Sequence, residues 1–261
     1  MARAAESVDR REERIGRPPA ALVPHAPLLL AELCPQGFEQ QTRTVREAIR
    51  TLPWRGVDLV AVLSPHGERS GVYRAAWGSL SGFGVTGIEG EWATAPGRAE
   101  ELAEGWGVPL LDLPVDHGIL VPLLLGAAGG RPVVAATIAE TTGAGGDFES
   151  SLRDARRLAP CLRRFGPRVG FVASVNSSAA LSPRAPFGEQ RAALEVEEKL
   201  LAALHADVGR LDALAPRLFG AGRSCAAAPL ACLARLRPRS RGQLCAYERP
   251  AGVGYPVAFV P

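Results

Sequence analysis

Apolar and polar positions divide the chain into short solid runs and longer amphipathic stretches. Ala20–Pro24, Val57–Leu63, Pro132–Ile138 and Arg168–Val175 are dominated by apolar and β-branched residues. Runs of this length and composition predict strands covered on both faces. Val72–Trp77 and Gly84–Ile88 suit further strands, and Gln243–Tyr247 with Gly254–Val260 suits a hairpin around Arg249-Pro250-Ala251-Gly252. Helices are predicted over Gln40–Arg50, Arg98–Trp106, Phe148–Arg164, Gly188–Ala206, Asp212–Phe219 and Ala226–Leu236. The clearest is Gly188–Ala206, with Leu194, Val196, Leu200, Leu201 and Leu204 among its apolar positions. No repeat or linker interrupts the series. The pattern predicts one α/β domain over residues 20–261, a central mixed β-sheet flanked by helices on both faces. Met1–Pro19 mixes both charges with almost no apolar periodicity and is expected to be a mobile leader.

Composition narrows the function classes. The chain has 261 residues, 47% hydrophobic and 22% charged, which is ordinary for a globular protein and excludes disorder as the dominant state. The net charge of +3 is too small to imply nucleic acid without a clustered basic face. Lys199 is the only lysine among 30 basic residues, which reads as a coding bias toward arginine. Arg156, Arg157, Arg163, Arg164 and Arg168 are expected to form a solvated face. No apolar stretch reaches the ~18 residues of a membrane span, and the N-terminus lacks the apolar core of a secretory signal. The cysteines, Cys34, Cys161, Cys225, Cys232 and Cys245, are odd in number and form no C-x-x-C pair. A disulfide framework or zinc ribbon is therefore not expected, and a reduced cytoplasm is. Trp54, Trp77, Trp92 and Trp106 are expected to pack the core. Gly143-Ala144-Gly145-Gly146 lacks the Lys-Ser/Thr of a phosphate loop and is expected to be a flexible turn.

Imidazole chemistry has few places to be, because there are four histidines. Three of them sit in Pro-, Gly- or Asp-containing segments beside apolar runs. His25 lies in Pro24-His25-Ala26-Pro27, His66 in Ser64-Pro65-His66-Gly67 and His117 in Asp116-His117-Gly118. Ligands of open α/β sheets collect beyond the carboxyl ends of strands. Two histidines leaving adjacent strands at equivalent ends can converge on one metal, and the alternative is that each caps or packs its own turn. His205 lies inside the Gly188–Ala206 helix and is expected to be an ordinary helix residue.

These segments resemble a family. Pro24-His25-Ala26-Pro27-Leu28-Leu29, Ser64-Pro65-His66-Gly67 and Asp116-His117-Gly118-Ile119-Leu120-Val121-Pro122-Leu123 resemble, in order and spacing, the histidine blocks of the LigB-like class III extradiol ring-cleavage dioxygenases. A fourth block, Ala173 to Gly188, aligns without gaps to that family's Ala-Ser-Gly-Asp-Leu-Ser-His-x-Leu-x-Pro-x-Ala-Pro-Tyr-Gly. A fifth, Tyr247 to Tyr255, resembles its C-terminal strand. The resemblance spans about Ala20 to Val260. It implies ferrous iron, or another divalent metal, held by His25, His66 and a carboxylate for which Glu248 is the candidate. Cys245 is the alternative, because the related Memo proteins place a cysteine near the equivalent position. It further implies His117 as a catalytic pocket residue, and Asp116, Asn176 and Ser178 beside a small aromatic diol. No nucleic-acid or membrane partner is implied, and a homo- or hetero-oligomer is compatible.

The chain departs from the family where the pattern carries its acid/base histidine. That position is Ala179, the neighbouring Asp is Asn176 and the Gly is Val175. A methyl group neither takes nor delivers a proton, and losing one general acid/base typically costs ~10²–10⁴ in rate. Two readings follow. One is an iron-dependent extradiol dioxygenase relying on His117. The other is an inactive, Memo-like or regulatory relative, or the partner subunit of an active copy, that keeps the metal or ligand pocket.

Overall fold

The computed structural model describes residues 17–139 and 147–261. An eight-stranded sheet forms its centre, joined by a separate two-stranded hairpin. The strands are β1 (Ala20–Val23), β2 (Leu59–Gly67), β3 (Gly71–Tyr73), β4 (Ala76–Ser79), β5 (Glu89–Trp92), β6 (Leu110–Leu111), β7 (Val133–Ala139), β8 (Val169–Ser174), β9 (Gln243–Glu248) and β10 (Tyr255–Val260). The helices are α1 (Glu39–Arg50), α2 (Pro96–Trp106), α3 (His117–Leu124), α4 (Phe148–Arg164), α5 (Arg191–Ala206), α6 (Leu211–Gly220) and α7 (Ala227–Leu236). The large sheet runs β6-β3-β7-β2-β8-β1-β10-β9, and β4 pairs with β5 apart from it.

The solid apolar runs became the parallel centre. β7, β2, β8 and β1 are mutually parallel neighbours, with Leu63 beside Ala173 and Leu22 on the other side of the same residue. Every residue of β1 and β8 is buried, which is why neither strand alternates in polarity. Antiparallel strands close both edges: β3 against β7, and β10 then β9 beyond β1. Alternate strand residues feed two cores. Leu22, Leu63 and Phe171 face α4, α5 and α7, whereas Val23, Val62 and Val172 face α1 and α3. The expected α/β domain with a mixed sheet and helices on both faces is the one observed.

Several local expectations are corrected. Val72–Trp77 is broken at Arg74-Ala75 into β3 and β4, which belong to different sheets. Gly84–Ile88 is loop rather than strand, because Gly84 and Gly87 both take positive φ (73° and 77°), and the strand starts at Glu89. The apolar run after His117 is the helix α3, capped by the Asp116 carboxylate on Gly118 N. Trp54 and Trp106 are buried and donate to Ala127 O and Asp154 O, but Trp77 is exposed. His205 is exposed in the last turn of α5. The Gly143–Gly146 turn and the Met1–Gly16 part of the leader lie outside the described residues. Among the described residues no helix is long and apolar enough to cross a membrane.

Phe171 on β8 is 1% exposed and sits at the centre of the larger core. Its replacement by Ala is expected to lower unfolding stability by about 3–5 kcal/mol. Urea denaturation measures this, and a loss below about 1 kcal/mol contradicts the placement.

Candidate metal centre

Three parallel strands end side by side and deliver the site. β1 runs into Pro24-His25, β2 ends in Pro65-His66-Gly67, and β8 leads into Val175-Asn176. β8 lies between β1 and β2. The two histidine strands are therefore not adjacent, and their side chains meet across the end of β8. On β2 a bulge makes this possible. The β2–β7 register slips between Ser64 and Gly67, inserting one extra residue and re-aiming the Pro65-His66 step. His117 arrives separately, as the first residue of α3.

The ligand atoms of His25, His66 and His117 all lie within 4.8 Å of one another. The Nε2 atoms of His25 and His66 are 3.1 Å apart. The His66 and His117 rings are 4.3 Å apart, centroid to centroid, and the Phe83 ring sits edge-on to His117 at 4.9 Å.

A relay sets the tautomer of His25. Ser174 Oγ donates to Gly118 O at 2.5 Å, so its lone pairs accept from His25 Nδ1–H at 2.8 Å. With the proton on Nδ1, Nε2 is the acceptor nitrogen, and it faces His66 Nε2 at 3.1 Å. His25 is 1% exposed. Burial holds its pKa well below 6.5, and the neighbouring His66 and His117 lower it further. A neutral imidazole fixed by a hydrogen bond at its other nitrogen is the form that binds metal. Two nitrogens bound to one ion at ~2.1 Å stand about 3 Å apart when they occupy neighbouring positions. The His25–His66 separation meets that requirement, and imidazoles suit iron, zinc, copper and nickel alike. The cluster is thus compatible with a metal ion.

The other expected site residues fall around this centre. Asp116 is half-buried, and its carboxylate accepts from Ser64 Oγ (2.5 Å), Gly118 N (2.8 Å), Thr137 Oγ1 (3.0 Å) and Tyr73 OH (3.1 Å). Ser64 Oγ in turn accepts from His66 N, so Asp116 supports both His66 and His117. A Cβ on Gly118 would stand 2.2 Å from Ser64 Oγ, and glycine alone fits there. Asn176 Oδ1 accepts from His25 N at 3.2 Å. Ser178 is buried, with its hydroxyl on Gly222 O. Ala179 packs against the α1 and α3 side of the core. Glu248 is half-buried at the end of β9, opposite Tyr255, and is not one of the three clustered ligands. Cys245 is exposed, with Sγ toward Gln243 O.

The thiol that does reach the imidazoles is Cys225, whose Sγ is 3.4 Å from His25 Nε2. The sequence gives little warning of this. Cys225 lies 200 residues from His25 in a loop between two helices, outside every motif. Ser174 lies in the predicted Arg168–Val175 strand and in the fourth motif block, with no role signalled there.

The architecture is that of a single α/β domain with a candidate metal centre at the carboxyl ends of its parallel strands. It is similar to an uncharacterized protein, JW3007 of Escherichia coli K12, with a TM-score of 0.59, 18% identity, and coverage of 94% of this chain and 100% of that one. At that identity the likeness concerns the fold alone. No family model matches the sequence, and no curated protein does.

The lowered pKa of His25 has a consequence for the metal-free protein. The folded state binds fewer protons at His25 than the unfolded state does below pH 6.5. Stability from this group is therefore full above about pH 6.5 and falls as pH drops toward the lowered value. Denaturation at pH 7.5 and 5.5 is expected to show a loss in the wild type that His25→Gln reduces. Equal losses in both proteins contradict the assignment.

Proposed function

We propose that the chain is a non-haem divalent-metal protein of the class III extradiol dioxygenase type, taking Fe(II) and a small aromatic diol. The observation that supports this is the meeting of His25, His66 and His117 from three separate segments, with the acceptor nitrogen of His25 turned toward His66. His25 and His66 hold the ion in this reading. His117 is the third nitrogen within reach, and Glu248 is the carboxylate that the resemblance offers. When bound, ferrous iron supplies a Lewis acid for the diol oxygens and electrons for dioxygen.

The chain's own residues have defined tasks. Ser174 and Asn176 orient His25 through its ring and its backbone. Asp116 fixes the turn that carries His117 and, through Ser64, the backbone of His66. Phe83 stands edge-on against one side of His117. In this reading His117 holds and returns a proton, since the position of the family's acid/base histidine is the methyl group of Ala179.

Ala179 also supports a second reading, a Memo-like or regulatory subunit that binds metal or ligand without turnover. Anaerobic Fe(II) loading followed by O₂ uptake over a catechol panel separates the two. The dioxygenase reading expects retained iron that His25→Ala releases, with slow uptake that Ala179→His raises by up to ~10²–10⁴-fold. Uptake seen only in Ala179→His supports the second reading. Iron retention that is absent, or equal in His25→Ala, contradicts the dioxygenase reading.

A further inference from the structure

The β4–β5 hairpin stands apart from the large sheet, with one edge closed and the other open. Trp77 pairs with Glu91, and Ser79 with Glu89. Leu80 N donates to Ile88 O at 2.9 Å, so the pair next to Ser79 and Glu89 is a hydrogen-bonded one. Hydrogen-bonded and open pairs alternate along an antiparallel ladder. The peptide groups of Trp77, Ser79, Glu89 and Glu91 therefore point out of the hairpin. On the β4 edge this is visible directly, because Trp77 O accepts from Val115 N at 2.8 Å. A Cβ on Gly78 would stand 2.9 Å from Val115 O, so that edge is closely covered. On the β5 edge Ala93 O accepts from Val133 N at 2.8 Å, which closes the edge beyond Trp92. The outward N–H and C=O groups of Glu89 and Glu91 have no such partner among the described residues, and no residue of β5 is buried.

One face of the hairpin is open as well. Trp77, Ser79, Glu89 and Glu91 alternate onto it, and all four are exposed, Trp77 by 46%. A groove of about 600 Å³ lies there, lined by Trp77, Gly78, Glu89, Gly90 and Glu91. Neither carboxylate makes an ion pair among the described residues. Beyond Glu89 an adjoining groove carries Arg46 and Arg50, so the negative charge is confined to two positions. That charge decides what the edge accepts. Two copies of the chain paired through β5 about Gly90 would set Glu89 of one opposite Glu91 of the other. Like charges directly opposite destabilise such a pair. The edge is therefore guarded against itself and complementary to a strand with positive side chains at alternate positions.

We infer that the β5 edge is a docking site for an extended, basic segment of a partner protein, with arginines two positions apart. The segment's backbone pairs with the outward peptide groups of Glu89 and Glu91 and adds a third strand to the hairpin. Its arginines lie on the exposed face beside the two carboxylates. Trp77, opposite Glu91 on the same face, offers a ring for a guanidinium to cover. The inference stands apart from the metal reading, and neither depends on the other.

Fluorescence anisotropy of a labelled heptapeptide, Thr-Thr-Arg-Val-Arg-Thr-Thr, tests it against the same peptide with glutamates in place of the arginines. The arginine peptide is expected to bind the full-length protein and the glutamate peptide to fail. N-methylation of one alternate set of the peptide's backbone amides is expected to abolish binding, and of the other set to leave it, because only one set faces β5. Glu89→Gln with Glu91→Gln is expected to weaken the arginine peptide roughly fivefold. Glu89→Arg with Glu91→Arg is expected to transfer binding to the glutamate peptide. Both positions are exposed, so the double variants are expected to keep the fold. Arginine-peptide binding overturns the inference if it is absent, if the glutamate peptide matches it, or if both double variants leave it unchanged. Equal loss with either set of N-methyl groups overturns it too, because a purely electrostatic contact has no alternation.

Discussion

The Asp116 carboxylate accepts hydrogen bonds from the end of β2 through Ser64, from β3 through Tyr73, from β7 through Thr137 and from the first turn of α3 through Gly118 N. The three side-chain donors lie 21, 43 and 52 residues from Asp116 in sequence, and they meet it at the rim of a sheet whose centre is apolar. A partly buried donor without an acceptor costs roughly 1–3 kcal/mol, so one acid serving four of them constrains the whole rim. Ser64 passes the constraint to His66 N, and the helix cap passes it to His117. The placement of two of the three imidazoles therefore depends on a side chain that has no need to touch a ligand.

The third imidazole depends on a different constraint. His25 is buried, and an isolated charge there is costly, so the ring stays neutral. Its one N–H is committed to Ser174, which is committed to Gly118 O at the start of α3. The two networks thus share α3. What they leave over is a lone pair on Nε2 facing His66 Nε2 and Cys225 Sγ. Either neighbour can donate to that lone pair, and a cation taking the place of that proton would be bound by the same nitrogen.

Much of this was legible in the sequence. The central strands announced themselves because burial on both faces removes all polar positions, as in β1 and β8. His25, His66 and His117 stood out because Pro, Gly and Asp punctuate the ends of apolar runs. Strand order is not local information, so the expectation of adjacent histidine strands failed when β8 inserted between β1 and β2. Gly84–Ile88 failed for a local reason, the positive φ of its glycines, which overrides β propensity. Cys225 could not be anticipated from spacing. Its position is set by how the α6–α7 loop is hydrogen-bonded to Ser178, Ala179 and Asn176, long-range contacts that leave no periodic trace.

If His25, His66 and His117 form one metal centre, X-ray absorption at the zinc edge of zinc-loaded protein shows scattering from at least two imidazoles at ~2.0–2.1 Å, with the imidazole signature reduced in His25→Ala. A shell of oxygen donors alone, indistinguishable between the wild type and His25→Ala, would contradict it.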